Sequence, residues 1–289
     1  MTPPVPVPTE RTVRALARRA LGGDGAGAVR PAGEGGEHST WFIGERHVLR
    51  LALDADASGR QRREIALRER LRPRVGVTVP VSVASGEWAD GCGYTLDTRL
   101  SGVSAELRRV SRRGEEDLMG MLRGLRELPM AAIGALGVPV RAPRSMAGLR
   151  RRAREAAVRL AADGEFGGAA LPRPVAASGT GVLVHHDLKG EHLLVAAGGR
   201  VHGVLDWTDA VIGDPAEDIA GLTIAVGAAA AVRVAAAAGY GPALCARGLA
   251  LARCDTLVRL AGRLYGGDDS PLPLLRAQRD RAWAESAVS

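Results

Sequence analysis

The chain has 289 residues, 46% apolar and only 3% aromatic, with 39 Lys and Arg against 32 Asp and Glu for a net charge of +7. That is enough to fill one large or two modest domains with a core of Ala, Val and Leu, and the basic balance raises nucleic acid or an anionic ligand as partners. Cys92, Cys245 and Cys254 are too few and too scattered for a disulfide frame or metal motif, and read as buried free thiols of a reduced cytoplasmic protein. The opening MTPPVPVPTER lacks the apolar stretch of a signal peptide. The most apolar tract, from Ile219, is stopped by Arg233 before it could span a bilayer, so one buried helix is expected there and no membrane contact.

In chain order, residues 2–8 are proline-rich and extended. An amphipathic helix over Thr9 to Leu21 places Val13, Leu16, Ala17 and Ala20 on one face. Glycine-rich sequence follows from 22 to 36. STWFIG and RHVLRLAL then read as a hairpin through Gly44, Glu45 and Arg46. SGRQRREIALRERLRPR is a helix with an imperfect apolar face of Ile65, Leu67 and Leu71, and VTVPVSVASGEW and CGYTLDTRLSG add two or three strands. From Ser104 the pattern turns helical, with EEDLMGMLRGLREL and SMAGLRRRAREAAVRLAAD, whose arginine run 150–154 reads as a solvated face. A Gly- and Pro-rich loop at 162–181 leads into VLVHHDLKGEHLLVAAGGRVHGVLDW, two or three short strands around turns. Helix follows to the end, interrupted near 239–242 and 266–273. A mostly-strand lobe (1–100) with one main helix, followed by a larger, mostly helical lobe (101–289) with an embedded hairpin, is the two-lobed α+β pattern of a kinase-like protein.

The segment HHDLKGEH, residues 185–192, sets two histidines before an aspartate and the chain's single lysine, between the apolar runs VLV and LLV. A charged loop pinned between buried strands is expensive unless its groups have partners or a task. Phosphoryl transfer asks for a carboxylate at the acceptor hydroxyl and cations around the phosphates. Asp187 and Lys189 suit those roles. Asp206, at the end of VHGVL, would reach the same place as His192 if the strands pair through AAGGR, so that the two could share one metal. For Asp187 the plainer alternative is a turn-holding aspartate, and for His192 a residue that merely starts a strand. Asp209, Asp214, Glu217 and Asp218 crowd a helix start, where carboxylates are favoured by the dipole. Asp214 and Asp218 suit structural support, while Asp209 and Glu217 could face a cationic substrate.

HHDLKGEH resembles the catalytic loop of eukaryotic-like kinases, and VLDWTDAVIGDPAEDIA resembles the metal loop and following helix of the aminoglycoside phosphotransferase family. The resemblance implies the two-lobed protein-kinase-like fold, with Asp187 as catalytic carboxylate and Asp206 as a ligand of Mg2+. His192 stands where that family usually has a magnesium-binding Asn. Imidazole suits magnesium less well than an amide oxygen, which implies weaker binding of one metal or tolerance of Mn2+. Because the 2''-aminoglycoside and macrolide branches also carry His there, it reads as a branch marker. His185 is implied to bridge loop backbone and a carboxylate, with direct chemistry as the alternative. In the first hundred residues the resemblance implies that Gly35, Gly36 and Ser39 cover the phosphates and that Arg50 stands for the ATP-binding lysine, paired with Glu64. Backbone near Thr98 and Leu100 would meet the purine of ATP or GTP. Arg50 and Glu64 could otherwise be ordinary surface charges.

Residues 161–230 hold nine Asp and Glu against three Lys and Arg. An acidic site mouth would attract a polycation, so the favoured activity is phosphorylation of a hydroxyl on a cationic antibiotic. Aminoglycosides and basic cyclic peptides of the capreomycin and viomycin (tuberactinomycin) type fit that description. A small-metabolite kinase and a macrolide phosphotransferase are the alternatives. A nucleic-acid-binding protein fits least, since aromatic residues are scarce and the acidic stretch interrupts any basic track.

Overall fold

The computed structural model describes residues 7–23, 27–35, 38–177, 179 and 181–285; Gly36, one of the glycines expected over the phosphates, and residues 2–6 lie outside these. The chain divides into two compact units, one made of Met1–Pro73 with Thr78–Ser101 and the other of Arg74–Val77 with Gly102–Ser289.

In the first unit Thr9 caps α1 (Glu10–Leu21) by accepting the amide of Thr12. Five antiparallel strands follow: β1 (Val29–Gly35), β2 (His38–Ile43), β3 (His47–Ala52), β4 (Ser82–Ala89) and β5 (Cys92–Thr98), in the sheet order β1-β2-β3-β5-β4. β1 occupies sequence expected to be glycine-rich loop, and it is kept in the sheet despite a register shift between Pro31 and Glu34. Strand alternation sends Leu49 and Leu51 to the face that packs on Val13 and Ala17 of α1, with Tyr94 and Leu96 beside them. Full burial of each leucine contributes about 1.5–3 kcal/mol.

The opposite face takes α2 (Ala55–Leu71), capped by Asp54. Here the expected apolar face is met by Leu67 and Leu71 but not by Ile65. Ile65 is only partly buried, and the face turned inward is Ser58, Gln61, Glu64, Leu67, Arg68 and Leu71. The helix rides on polar side chains that answer Arg50, Thr95 and Asp97 from the sheet.

The second unit is mostly helical: α3 (Arg112–Glu127), α4 (Met130–Gly134), α5 (Met146–Ala162), α6 (Ala216–Val226), α7 (Ala228–Ala237), α8 (Pro242–Tyr265) and α9 (Leu272–Trp283). Small side chains let α5, α6 and α8 meet closely, with Ala153, Ala216, Ala220, Ala250 and Ala252 in one core cluster. The expected single helix from Ile219 is two, because Gly227 at φ 96° breaks it. Among the described residues no helix is long and apolar enough to cross a membrane. All three cysteines are buried and free.

Two small sheets carry the loop of interest. β6 (Val103–Ser104), β8 (Leu193–Val195) and β9 (Val201–Val204) form one, and β7 (Val182–Val184) pairs with β10 (Val211–Gly213) in the other. β8 and β9 are a hairpin through AAGGR, with Leu193 opposite Val204.

Candidate active site

β7 delivers the chain into the loop, and Asp218 near the start of α6 receives it. Its two carboxylate oxygens accept the amides of His185 and His186 at 2.8 and 2.9 Å. Burial pushes the Asp218 carboxyl up to about 7, against the pull of those two amides. His185 is wholly buried. Its Nε2 lies 2.8 Å from the carbonyl of Leu205, so that nitrogen carries the proton, and Nδ1 accepts the amide of Asp187 at 3.3 Å. The imidazole therefore bridges two backbone groups, and the carboxylate in the arrangement binds the His185 amide instead of its ring. Burial, then the neighbouring His192, push it down to about 4. With both ring nitrogens taken up by backbone, His185 stands in the bridging place expected for it, and neither nitrogen is left for the direct chemistry given as the alternative.

The backbone is strained at two points. His186 at φ 71° and Asp206 at φ 55° are the non-glycine residues with left-handed backbone among those described. They flank the site on its two supporting segments, where such a cost is commonly held by surrounding contacts.

Asp187 is partly exposed and lies 2.6 Å from Lys189 Nζ, with Glu191 3.8 Å from the same ammonium. Burial would raise the Asp187 carboxyl, but Lys189, His192 and His185 together hold it below the ordinary carboxylate value. At neutral pH it is an anion with a fixed cation beside it. His192 Nδ1 is 2.7 Å from the carbonyl of Asp187. A carbonyl cannot donate, so Nδ1 carries the proton and the lone pair sits on Nε2, which is 3.9 Å from Asp206 Oδ2. Two ligands of one ion at about 2.1 Å can stand up to about 4.2 Å apart, so this pair fits a divalent cation, and the backbone bond to Nδ1 is the usual support of a ligating imidazole. Donor atoms of Asp187, Glu191 and His192 also lie within 4.8 Å of one another. That trio is the poorer set, since Lys189 already occupies the Asp187 carboxylate and His192 Nδ1 is committed to the backbone.

A cleft of about 280 Å³ opens on Asp187 and Lys189, bounded by Glu217 and Gly221 of α6 and Asp255 of α8. Gly221 is required there, because a Cβ would stand 2.5 Å from the carbonyl oxygen of Leu188. Glu217 is engaged on the wall of this cleft, where Arg144 donates to it at 2.9 Å while reaching Asp255 with two bonds of 2.9 and 2.8 Å. Asp209 lies on an exposed turn and is not among the residues lining the cleft. Part of the acidic stretch 161–230 is paired inside the unit, while Asp163, Glu191, Asp206 and Asp209 are exposed. Glu165 pairs with Arg276, Asp214 with the buried Arg247 at 2.5 Å, and Glu217 with Arg144. Part of the attraction expected from the net charge of that stretch is thus spent on these internal pairs.

In the first unit Arg50 and Glu64 meet at 2.8 Å, with Glu64 buried. Sequence reasoning missed what lies behind them. Arg68, one turn on, makes two bonds of 3.1 and 3.0 Å to Asp97, and Gln61 donates to the Arg50 carbonyl and to Thr95. Glu64 and Arg68 four apart on a helix, and Thr95 and Asp97 two apart on a strand, were the available signals. Ser39 accepts the Trp41 indole N–H at 2.8 Å. Thr98 donates its amide to the Val81 carbonyl at 2.8 Å and its hydroxyl oxygen accepts the Val81 amide at 2.9 Å, and Leu100 follows just after β5 ends.

A loop carboxylate kept ionised beside a lysine, next to an imidazole and carboxylate at metal-ligand spacing, belongs to the phosphoryl-transfer class of chemistry. Residues 28–253 match the model of the phosphotransferase enzyme family, and the chain belongs to that family. It is thus a kinase-type phosphotransferase acting on an alcohol group. The fold is similar to that of the GDP complex of aminoglycoside 2'-phosphotransferase-IIIa, with a TM-score of 0.69 and 18% identity over 94% of this chain and 99% of that one. The GDP and kanamycin complex of APH(2")-IIIa gives 0.68 and 18% over 92% and 98%. Macrolide 2'-phosphotransferase MphH from Brachybacterium faecium gives 0.60 and 22% over 95% and 99%. At these identities the likeness is one of fold. An uncharacterized protein of Bacillus subtilis (strain 168), YcbJ, is 53% identical over 36 residues, a stretch that spans 12% of each chain.

Proposed function

We propose that the chain transfers the γ-phosphoryl group of ATP or GTP to a hydroxyl of a small-molecule antibiotic, with Asp187 as the catalytic carboxylate. The carrying observation is the Asp187 anion at the edge of the cleft, with the His192 and Asp206 pair outside the residues that line it. The acceptor hydroxyl donates to Asp187. Its oxygen then bonds to the γ-phosphorus as the bond to the β-phosphate oxygen breaks, and its proton passes to the carboxylate. Lys189, alone among the cationic residues in being a lysine, balances charge on the transferred group. His192 Nε2 and Asp206 would hold Mg2+ or Mn2+, which neutralises phosphate charge. In the first unit Arg50, pinned by Glu64, is the proposed cation for a nucleotide phosphate. Ser39 and the backbone around Thr98 and Leu100 are the proposed further contacts.

Aminoglycosides, capreomycin and viomycin-type peptides, and macrolides all fall within this reading. Family membership and the nucleotide and antibiotic complexes among the similar folds support it. The test is nucleotide turnover against a panel of these antibiotics. Asp187→Asn should lower turnover by about a hundredfold to ten-thousandfold with little change in melting temperature. Turnover that survives this substitution would sink the proposal.

A further inference from the structure

We propose that Arg144 and Arg259 act as a charge filter on the cleft beside Asp187, so that it takes hydroxyl acceptors bearing at most one positive charge and disfavours polycations. The inference rests on the phosphotransferase reading above, because it takes the cleft at Asp187 to be the acceptor's. Asp187, Glu217 and Asp255 bring three negative charges to the lining, and Lys189, Arg144 and Arg259 bring three positive ones. Each carboxylate already has a cation in contact. Lys189 is 2.6 Å from Asp187, and Arg144 is 2.7 Å from Glu217 and 2.8 Å from Asp255.

Arg144 is held as a wedge between α6 and α8. Although burial works against its charge, the hydrogen bonds to Asp255 and Glu217 make the guanidinium harder to deprotonate than usual. Arg259 is fixed differently, donating at 2.9 Å to the amide oxygen of Gln278, which is itself buried and bonded to Glu106 at 3.0 Å. An amide orients that guanidinium without cancelling its charge, so one turn of α8 presents a carboxylate at 255 and, at 259, a cation that none of the three lining carboxylates contacts, Asp268 acting on it from outside the cleft lining. The rest of the lining includes Leu188, Ala220 and Ile224.

A ligand with several ammonium groups gains from a site only through a surplus of carboxylates. Here it would have to displace Arg144 from Glu217 and Asp255 while approaching Arg259. A ligand of low charge meets no such cost and buries apolar surface against the remaining wall. The acceptor chemistry indicated is a sugar- or polyol-type hydroxyl on a largely apolar molecule with no more than one amine.

Equilibrium binding of two probes to the full chain at low ionic strength tests this, with kanamycin as the polycation and erythromycin as the molecule with a single amine. The unmodified protein should favour erythromycin by about tenfold or more. Arg259→Gln removes a charge while leaving the ion pairs of Asp187, Glu217 and Asp255 intact, and should tighten kanamycin by about fivefold to tenfold, an advantage that fades in high salt. Arg144→Gln should act in the same direction, and Arg259→Gln decides the matter if that variant is unstable. Tighter kanamycin than erythromycin binding by the unmodified protein, or no gain in kanamycin binding in Arg259→Gln, overturns the filter. Undiminished turnover by Asp187→Asn would instead overturn the phosphotransferase reading and leave these binding ratios standing.

Discussion

In the first unit Arg50, Glu64, Arg68 and Asp97 close on one another between α2 and the sheet, and the last three have side chains no more than 4% exposed. In the second, Asp187, Lys189, His192 and Asp206 form an equally dense group of charges, but their side chains are 16% to 50% exposed. Arg68 and Asp97 spend bidentate bonds on each other, which holds α2 to the sheet and pins Glu64 beneath Arg50. In the loop, backbone groups do the holding, through Asp218 and His185, and the side chains of Asp187 and Asp206 stay 28% and 50% exposed. Charge that is saturated internally acts as structure, whereas charge oriented by backbone can act as chemistry.

That contrast can be broken most directly in the first unit. Arg68→Met strands Asp97 in a buried site and should cost about 3–5 kcal/mol in a denaturant melt, whereas Arg68→Met combined with Asp97→Leu should recover most of the loss. Failure of the double substitution to recover stability would mean that the pair does more than hold the helix.

For the second unit the sharper probe is pH. The folded chain keeps His185 neutral down to about 4, whereas the unfolded chain protonates it near 6.5. Between those values the unfolded state binds the extra proton, so stability falls as pH falls from about 6.5 to 4, by on the order of 3 kcal/mol from this group. Asp218, raised to about 7, works in the opposite sense over an overlapping range. Comparison with His185→Gln, which retains Asp218, isolates the histidine. The stability difference between the two proteins should shrink toward acid, and parallel pH curves would show that the ring is not held neutral. Gly221→Ala should have the smallest effect, about 1–3 kcal/mol in melting. It should also lower turnover, because the added methyl group must push on the Leu188 carbonyl.

Much of this was legible in the sequence where the signal was local. The Thr9 cap, the hairpin through Gly44 and the AAGGR turn each lie within a few residues of the groups they organise. β1 was hidden because glycine and proline weaken strand character, and its place comes from pairing with β2. The inner face of α2 was misread because a search for apolar periodicity passes over Gln61, Glu64 and Arg68, whose partners lie on strands. Arg144 gave no sign at all, since its carboxylates are 73 and 111 residues away. Asp187, Lys189 and His192 lie within one short loop, and the AAGGR hairpin that carries Asp206 toward His192 was itself a local signal. The direction of the His192 ring was not, because it depends on a carbonyl.

The loop also has a support from far along the chain. Glu106 packs against Gly190, whose carbonyl takes the amide of Ala105 and the hydroxyl of Ser104, and Glu106 is held in turn by Gln278 and Arg281 of α9. On the ribosome, residues 182–206 emerge well before that helix exists. Glu106 then has neither of its α9 partners, and the turn at Gly190 rests on a wall that is not yet anchored. The turn at Gly190 thus gains its full backing only once α9 has been made and has docked on Glu106, so a nascent chain stalled earlier would display the loop without this brace.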